Sequence, residues 1–420
     1  MNRQVDVVTR LGGEDVEVGT LTVTEGRVLS STFRYSFDYL SRTDAYALEP
    51  AMPLDDAAHL VRDGLPLSLQ DSSPDHWGKN LLTMQRRADN LAGADLPSEL
   101  NALDFLLGVS DVTRQGALRF RVGDGPFLQE SVGVPKMLEL DVLLHAADVI
   151  VEESRTGWRE AVKTMLDAGT GALGGALPKA AVVDDGRLCL AKFPMLGDRV
   201  DRAVWEKTAL DLAEAAGVPT PRRRIVTVAG RGVLLVERFD RRGEDRVPYI
   251  SARTLAQEHG DGGTAEYEDV ADALRFEGVA PRDDLVVLYR LVAVGALIHN
   301  TDNHLRNHGF LREGAGWRLA PAFDLNPNPD AGASRATSIA GSYQPRDTGR
   351  GLMAFAPYCG LDPAQARRVV AEVAEVVRRW REVAESNGAT GREIERYEES
   401  FSSLDANVRN AFGFGFGAPT

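Results

Sequence analysis

The stretch "LIHNTDNHLRNHGFL", residues 297 to 311, holds three of the chain's seven histidines, three asparagines and one aspartate. It follows the apolar run "LVVLYRLVAVGALI" (285–298), which has the length and composition of a buried helix. Three readings explain so polar an end to so apolar a helix. His299, His304 and His308 have spacings a zinc site could use, with Asp302 completing the set. Asn300, Thr301 and Asn303 suit a polar cap that meets the orphan groups of a helix end. Asp302 and Asn307 stand five apart, as in a catalytic loop.

The surroundings weigh the three. The asparagines and Gly309 favour irregular backbone over the helical spacing that paired histidine ligands need. The cap reading leaves unexplained a second aspartate, Asp324, in the apolar "PAFDL" downstream. Protein kinases place a catalytic aspartate five residues before a magnesium-binding asparagine, with a further magnesium aspartate later in the chain. A carboxylate is needed there to accept a hydroxyl proton, and hard oxygen ligands are needed for Mg²⁺. Asp302, Asn307 and Asp324 fit that pattern, although Asn300-Thr301 stand where most protein kinases carry His-Arg.

Upstream, "GTGALGGALPKAAVVDDGRLCLAKFP" (169–194) reads as a glycine-rich segment, a strand, an Asp-Gly turn and a second strand. Gly174 and Gly175 permit the close backbone approach phosphates demand, and Lys179 ends the segment. The spacing is not that of a Walker motif. Lys192, between apolar neighbours on the second strand, is placed to meet phosphates. Glu206, on the amphipathic helix that follows, could orient Lys192, but a solvated helix face is the plainer reading.

Elsewhere the first fifty residues alternate apolar with polar as strands do. "SSPDHWGKNLL" (72–82) suits a helix start with Ser72 or Ser73 as N-cap and Pro74 in the first turn. Residues 363–386 read as the clearest long helix. The 420 residues exceed what one core serves. A hydrophobic share of 43% and a charged share of 26% describe a soluble globular chain. The first twenty residues hold no apolar core of the length a secretory signal needs, and no stretch approaches a membrane span, so no membrane partner is expected. Two cysteines, Cys189 and Cys359, cannot build a disulfide framework, and a reducing cytoplasm is the expected home. The net charge of −14 disfavours generic binding to nucleic-acid phosphates. The basic runs at 221–225 and 378–381 read as solvated faces.

With these pieces in order, the sequence resembles the HipA family of bacterial serine/threonine kinases, toxins of type II toxin–antitoxin modules. "SSPDHWGKNLL", "RQGALRF", "GGALPKA", "LLVERFDR", "NTDNHLRNHGFL" and "LAPAFDLNP" carry the resemblance, the last four together being specific. It implies an α+β, bilobal protein-kinase-like fold with a β-rich N-lobe, a helical C-lobe and an N-terminal β-rich and helical subdomain. The expected division is 1–165 for that subdomain, 166–248 for the N-lobe and 249–420 for the C-lobe. It implies ATP and Mg²⁺ as cofactors. Gly174, Gly175 and Lys179 would cover the phosphates and Lys192 would bind them, with Glu237 to Phe239 as the adenine hinge. Asp302 would be the proton acceptor, with His304 to Asn307 and Phe323 beside the nucleotide, and Asn307 and Asp324 on Mg²⁺. The implied partners are a protein substrate such as an aminoacyl-tRNA synthetase and a helix-turn-helix, HipB-like antitoxin, DNA being reached only through the antitoxin.

Two departures stand out. Ala172 occupies the place of a loop serine that some members autophosphorylate, with Thr170 close by. "YISARTLAQEHG" (249–260) lacks the acidic pattern of the best-known branch. A small-molecule kinase, or a degenerate kinase fold kept as a repressor's partner, are the competing expectations; the presence of Lys192, Asp302, Asn307 and Asp324 weighs against the second.

Overall fold

The computed structural model describes residues 2–26, 28–128, 134–152, 156–169, 177–258 and 265–413. The chain packs as two compact units, Met1–Gly197 with Val226–Ile250, and Asp198–Ile225 with Ser251–Thr420.

In the first unit, strands β1 (Asn2–Leu11), β2 (Glu14–Thr24), β3 (Ser30–Tyr35), β4 (His59–Val61) and β5 (Arg119–Arg121) form an antiparallel sheet in the order β4-β3-β2-β1-β5. Gly12 and Gly13, both at positive φ, make the two-residue turn that sets Leu11 opposite Glu14. A second sheet comprises β6 (Lys179–Asp184), β7 (Arg187–Lys192), β8 (Arg223–Val228) and β9 (Arg231–Glu237), in the order β6-β7-β9-β8. The expected Asp-Gly turn is there: Asp185 and Gly186 both have positive φ, the geometry that matches the twist of a tight hairpin. Alternate residues Ala180, Val182, Cys189, Ala191, Val233 and Leu235 point to one face. Helices His76–Leu91, Leu140–Val151 and Trp158–Asp167 supply Trp77, Leu81, Leu144, Ala147, Val162 and Met165 to the same core.

The helix at 76 does not begin as its sequence suggests. Asp75, rather than Ser72 or Ser73, is the N-cap, and its carboxylate accepts the amide of Gly78 at 2.9 Å. Pro74 lies outside the helix. The carboxylate's other oxygen accepts from the buried ammonium of Lys179 at 2.8 Å, and that long-range bond fixes where the helix starts.

The second unit is mostly helical, around the largely buried helix Pro281–Leu297. Its strands Gly309–Glu313 and Gly316–Leu319 form a hairpin. The long helix expected over 363–386 is two helices, Pro363–Val377 and Trp380–Ser386. The break at Arg378-Arg379 lets Trp380 stack on Phe401, ring centroids 4.4 Å apart, and lie against Trp205. The arginines of that basic run pair locally: Arg378 with Glu375 and Asp405, Arg379 with Glu382, Arg381 with Glu398.

Helix Arg202–Ala215 packs on the same aromatic layer. Trp205 stacks on Tyr397 with centroids 3.6 Å apart, and Asn387 donates to Thr208 and Asp211. Glu206 is therefore not on a solvated face; it is 5% exposed. Cys189 and Cys359 are both buried as free thiols, one in each unit.

Removing the Trp205 ring leaves a large cavity beside Tyr397 and Trp380. Trp205→Ala should destabilise the chain by about 3–5 kcal/mol, read from urea unfolding. A loss below about 1 kcal/mol would contradict the packing described.

Candidate active site

The apolar helix ends because the chain turns left-handed at His299, φ +57°, and the amide of Asn300 then donates to the carbonyl of Gly295 at 2.8 Å. The asparagine side chains do not cap that helix, as the cap reading would have them do. Asn303 is buried, donates to the Tyr267 hydroxyl at 2.9 Å and to the Thr337 carbonyl, and accepts the Thr337 amide. Thr301 accepts from the Asn328 side chain at 2.8 Å, and the Asn328 amide donates to the carbonyl of His299. Loop 299–304 is thereby laced to 324–337, the segment that opens with Asp324.

The three histidines are engaged in three directions. His299 donates from Nε2 to the carbonyl of Asp330 at 2.8 Å. His308 lies buried with its Nε2 3.0 Å from the Tyr267 hydroxyl, which already accepts from Asn303 and so donates to the imidazole. His304 holds Asp302, Nε2 to Oδ1 3.1 Å. Burial pushes the His308 imidazole down to about 4. The hydrogen bond that His304 donates to Asp302 raises its pKa against the effect of burial, and the charges of Asp302 and Asp324 add to it.

Asp302 presents its carboxylate outward, the side chain 71% exposed. Its own carbonyl accepts from Nδ2 of Asn307 at 2.7 Å, across the short 3₁₀ turn Leu305–Asn307, which leaves the Asn307 amide oxygen as an acceptor. Asp324 is held left-handed, φ +56°, with Asn326 donating to its Oδ1 at 3.2 Å. Phe323 is half-buried beside it. One face of the second unit thus gathers an exposed carboxylate, an imidazole, an amide oxygen and a second carboxylate.

In the first unit, Lys192 is the half-buried last residue of β7, in register with Leu234 of β9. Glu237 ends β9 and pairs with Arg187 at 3.2 Å. Phe239 lies against Tyr249, centroids 6.4 Å apart. Lys179 sits elsewhere than its sequence position suggests. It opens β6 at 2% exposure with its ammonium on Asp75, so it anchors the strand after the glycine-rich segment instead of facing solvent. Gly174, Gly175, Thr170 and Ala172 lie outside the described residues.

Sequence reasoning missed three contributors. Asn303 figures in the sequence only under the competing helix-cap reading. Tyr267 carries no motif of its own, and Asn326 is marked only by its place two residues after Asp324.

The strand-rich first unit and the helical second unit make a mixed α+β, protein-kinase-like fold. A family profile described as the HipA-like C-terminal domain matches residues 171–380, and one described as the HipA N-terminal domain matches 12–120. The chain belongs to the HipA family and is a HipA-like protein kinase toxin of a toxin–antitoxin system. Among solved structures, HipA in the Shewanella oneidensis MR-1 complex of HipA, HipB and operator DNA shares the fold, with TM-score 0.64, 17% identity and 98% of each chain covered. The Helicobacter pylori proinflammatory kinase CtkA is more distant, with TM-score 0.37, 15% identity and coverage of 56% of this chain and 94% of that one. No curated protein matched the sequence. Among the described residues, no helix is long and apolar enough to cross a membrane.

His308 makes stability depend on pH. Its folded pKa of about 4 lies below its ordinary 6.5, so the unfolded chain takes up the proton first as pH falls. The stabilisation is complete above pH 6.5 and is lost on acidification toward pH 4, at most on the order of 3 kcal/mol. His308→Gln should be less stable at pH 7.5 yet show a flatter decline across that window, measured by urea unfolding at stepped pH. A variant keeping the wild-type slope would assign the dependence to another group.

Proposed function

We propose that the chain is an ATP- and Mg²⁺-dependent serine/threonine protein kinase whose toxicity comes from phosphorylating an aminoacyl-tRNA synthetase or another translation component. The single observation that carries the catalytic reading is the exposed Asp302 carboxylate, braced by His304 and by the Asn307 bond to its carbonyl. A braced, accessible carboxylate is what a substrate hydroxyl requires of a proton acceptor.

The donor set suits magnesium. Asp324 and the Asn307 amide oxygen are hard ligands, and Mg²⁺ characteristically takes few protein ligands and completes its shell with phosphates and water. When bound, the metal would neutralise charge on the transferring phosphoryl group. The chain's own parts do the rest. Lys192 meets the phosphates, and the main chain of Glu237–Phe239 receives adenine. His304 and Phe323 would border the nucleotide, Gly174 and Gly175 would cover the phosphates, and Lys179 contributes by anchoring the strand that follows them. Asp302 draws the proton from the substrate hydroxyl as its oxygen attacks. The division into an N-terminal subdomain (1–165), an N-lobe (166–248) and a C-lobe (249–420) is proposed as the functional one.

The proposed partner is a HipB-like, DNA-binding antitoxin, supported by the fold shared with HipA of the Shewanella complex. The net charge of −14 fits contact with DNA through that partner, not directly.

Asp302→Asn keeps the side-chain shape but cannot accept the proton. Turnover of the purified kinase should fall about 10²- to 10⁴-fold, and growth inhibition on expression without the antitoxin should disappear. Asp324→Asn should weaken Mg²⁺-dependent ATP binding instead. Wild-type phosphorylation by Asp302→Asn would sink the assignment of this loop. An inactive variant that still arrests growth would favour a non-enzymatic toxin.

A further inference from the structure

One turn of the N-terminal part, Asp111–Gly116, meets the main chain around the hinge through a buried ionic network. Asp240 is 1% exposed. Its carboxylate accepts from the Gly116 amide at 2.7 Å, from Arg238 Nε at 2.7 Å and from Arg241 at 2.9 Å. Arg238, between Glu237 and Phe239, also donates to the carbonyl of Thr113 at 3.0 Å. Arg241 donates to the carbonyls of Arg114 at 2.6 Å and of Val112 and Gly116 at 3.3 Å. Behind this layer the buried Asp111 accepts from Arg119 and Arg246. The Thr113 hydroxyl donates to the carbonyl of Gly169 at 2.8 Å, so the same turn holds the last described residue before the glycine-rich segment.

Four of the six main-chain carbonyls of the turn accept from a guanidinium that also grips Asp240. Burial alone would raise the Asp240 pKa, yet the charges of Arg238 and Arg241 hold it far below the usual carboxylate range. The carboxylate is therefore ionised and its fork geometry is maintained. Gly116 adds a steric requirement. At φ +73° it approaches Tyr249 so closely that a Cβ would lie 3.2 Å from the Tyr249 Cβ. The turn cannot shift without moving Arg238 within the hinge and Asp240, Arg241 and Tyr249 after it.

We propose that the turn Asp111–Gly116, acting through Asp240 and Arg238, is a positioning element for nucleotide recognition: it fixes the main chain of Glu237–Phe239 where that chain reads the edge of the base. This rests on the hinge reading given under the proposed function. A purine with a 6-amino group donates to a hinge carbonyl; a 6-oxo purine cannot. A hinge held in place discriminates between them, and a loosened one does so less, because the loss falls on ground-state binding of the base and not on the phosphoryl step.

The experiment measures dissociation constants of the full-length protein for ATP and for inosine triphosphate, both with Mg²⁺, together with kcat at saturating ATP. The wild type should prefer ATP. In Asp240→Asn that preference should shrink roughly tenfold through weaker ATP binding, with inosine triphosphate affinity and kcat changed little. Arg238→Lys keeps the charge but loses the fork, and should move the ratio in the same direction; it decides the matter if Asp240→Asn does not fold. A lower melting temperature with an unchanged ATP preference in both variants would make the network merely structural and overturn the proposal. A wild type that binds neither nucleotide would instead overturn the nucleotide-site reading beneath it.

Discussion

The carbonyl of Gly295, near the end of a helix buried along most of its length, must be given a donor. The amide of Asn300 gives it one, and only a left-handed residue at His299 lets the chain double back to do so. The course of loop 299–307 follows from that reversal. Leaving the helix, the chain enters a region already walled by Tyr267 and by 324–337, where its own polar groups find few waters. Asn303 meets this condition with three hydrogen bonds to fixed partners, and Tyr267 passes the bond on to a neutral His308. Asp302 is left facing outward, with His304 beside it. A satisfied, rigid underside is what allows an exposed carboxylate to be aimed.

How much of this was legible in the sequence depended on distance along the chain. The β6–β7 hairpin was readable because Asp185 and Gly186 carry their own turn geometry. The stop after the 202–215 helix is equally local, for Gly217 takes a positive φ there. The spacing of Asp302 and Asn307 was legible for the same reason: their bond spans one short turn. The misreadings all involve remote partners. Asp75 became the cap because Lys179, 104 residues later, fixes its carboxylate. Glu206 went inside because its neighbours Trp205 and Thr208 are held by Tyr397 and Asn387. Helix 363–386 broke because Trp380 turns to stack on Phe401. Helical periodicity records which face is apolar, and none of these contacts alters it.

Charge is organised differently at the two kinds of place. At the surface, the basic run 378–381 is matched arginine by arginine with nearby carboxylates and leaves little field beyond itself. Inside the first unit, Asp111 and Asp240 bind several guanidiniums each and are sealed from solvent. Breaking one partner there would strand a buried charge, which costs far more than the pair contributes. The arrangement confers geometric definition where main chain must be held still.

The two cysteines have a bearing on how the molecule comes apart. Cys189 lies in the sheet core of one unit and Cys359 in the interior of the other, where burial pushes its thiol well above the ordinary range. Such groups are inert while shielded and ordinary nucleophiles once wetted. Each half of the molecule therefore carries one built-in clock. The pace at which an alkylating reagent marks Cys189 times the opening of the first unit, and its pace at Cys359 times the second. The separation between those two rates is the degree to which the halves unfold independently.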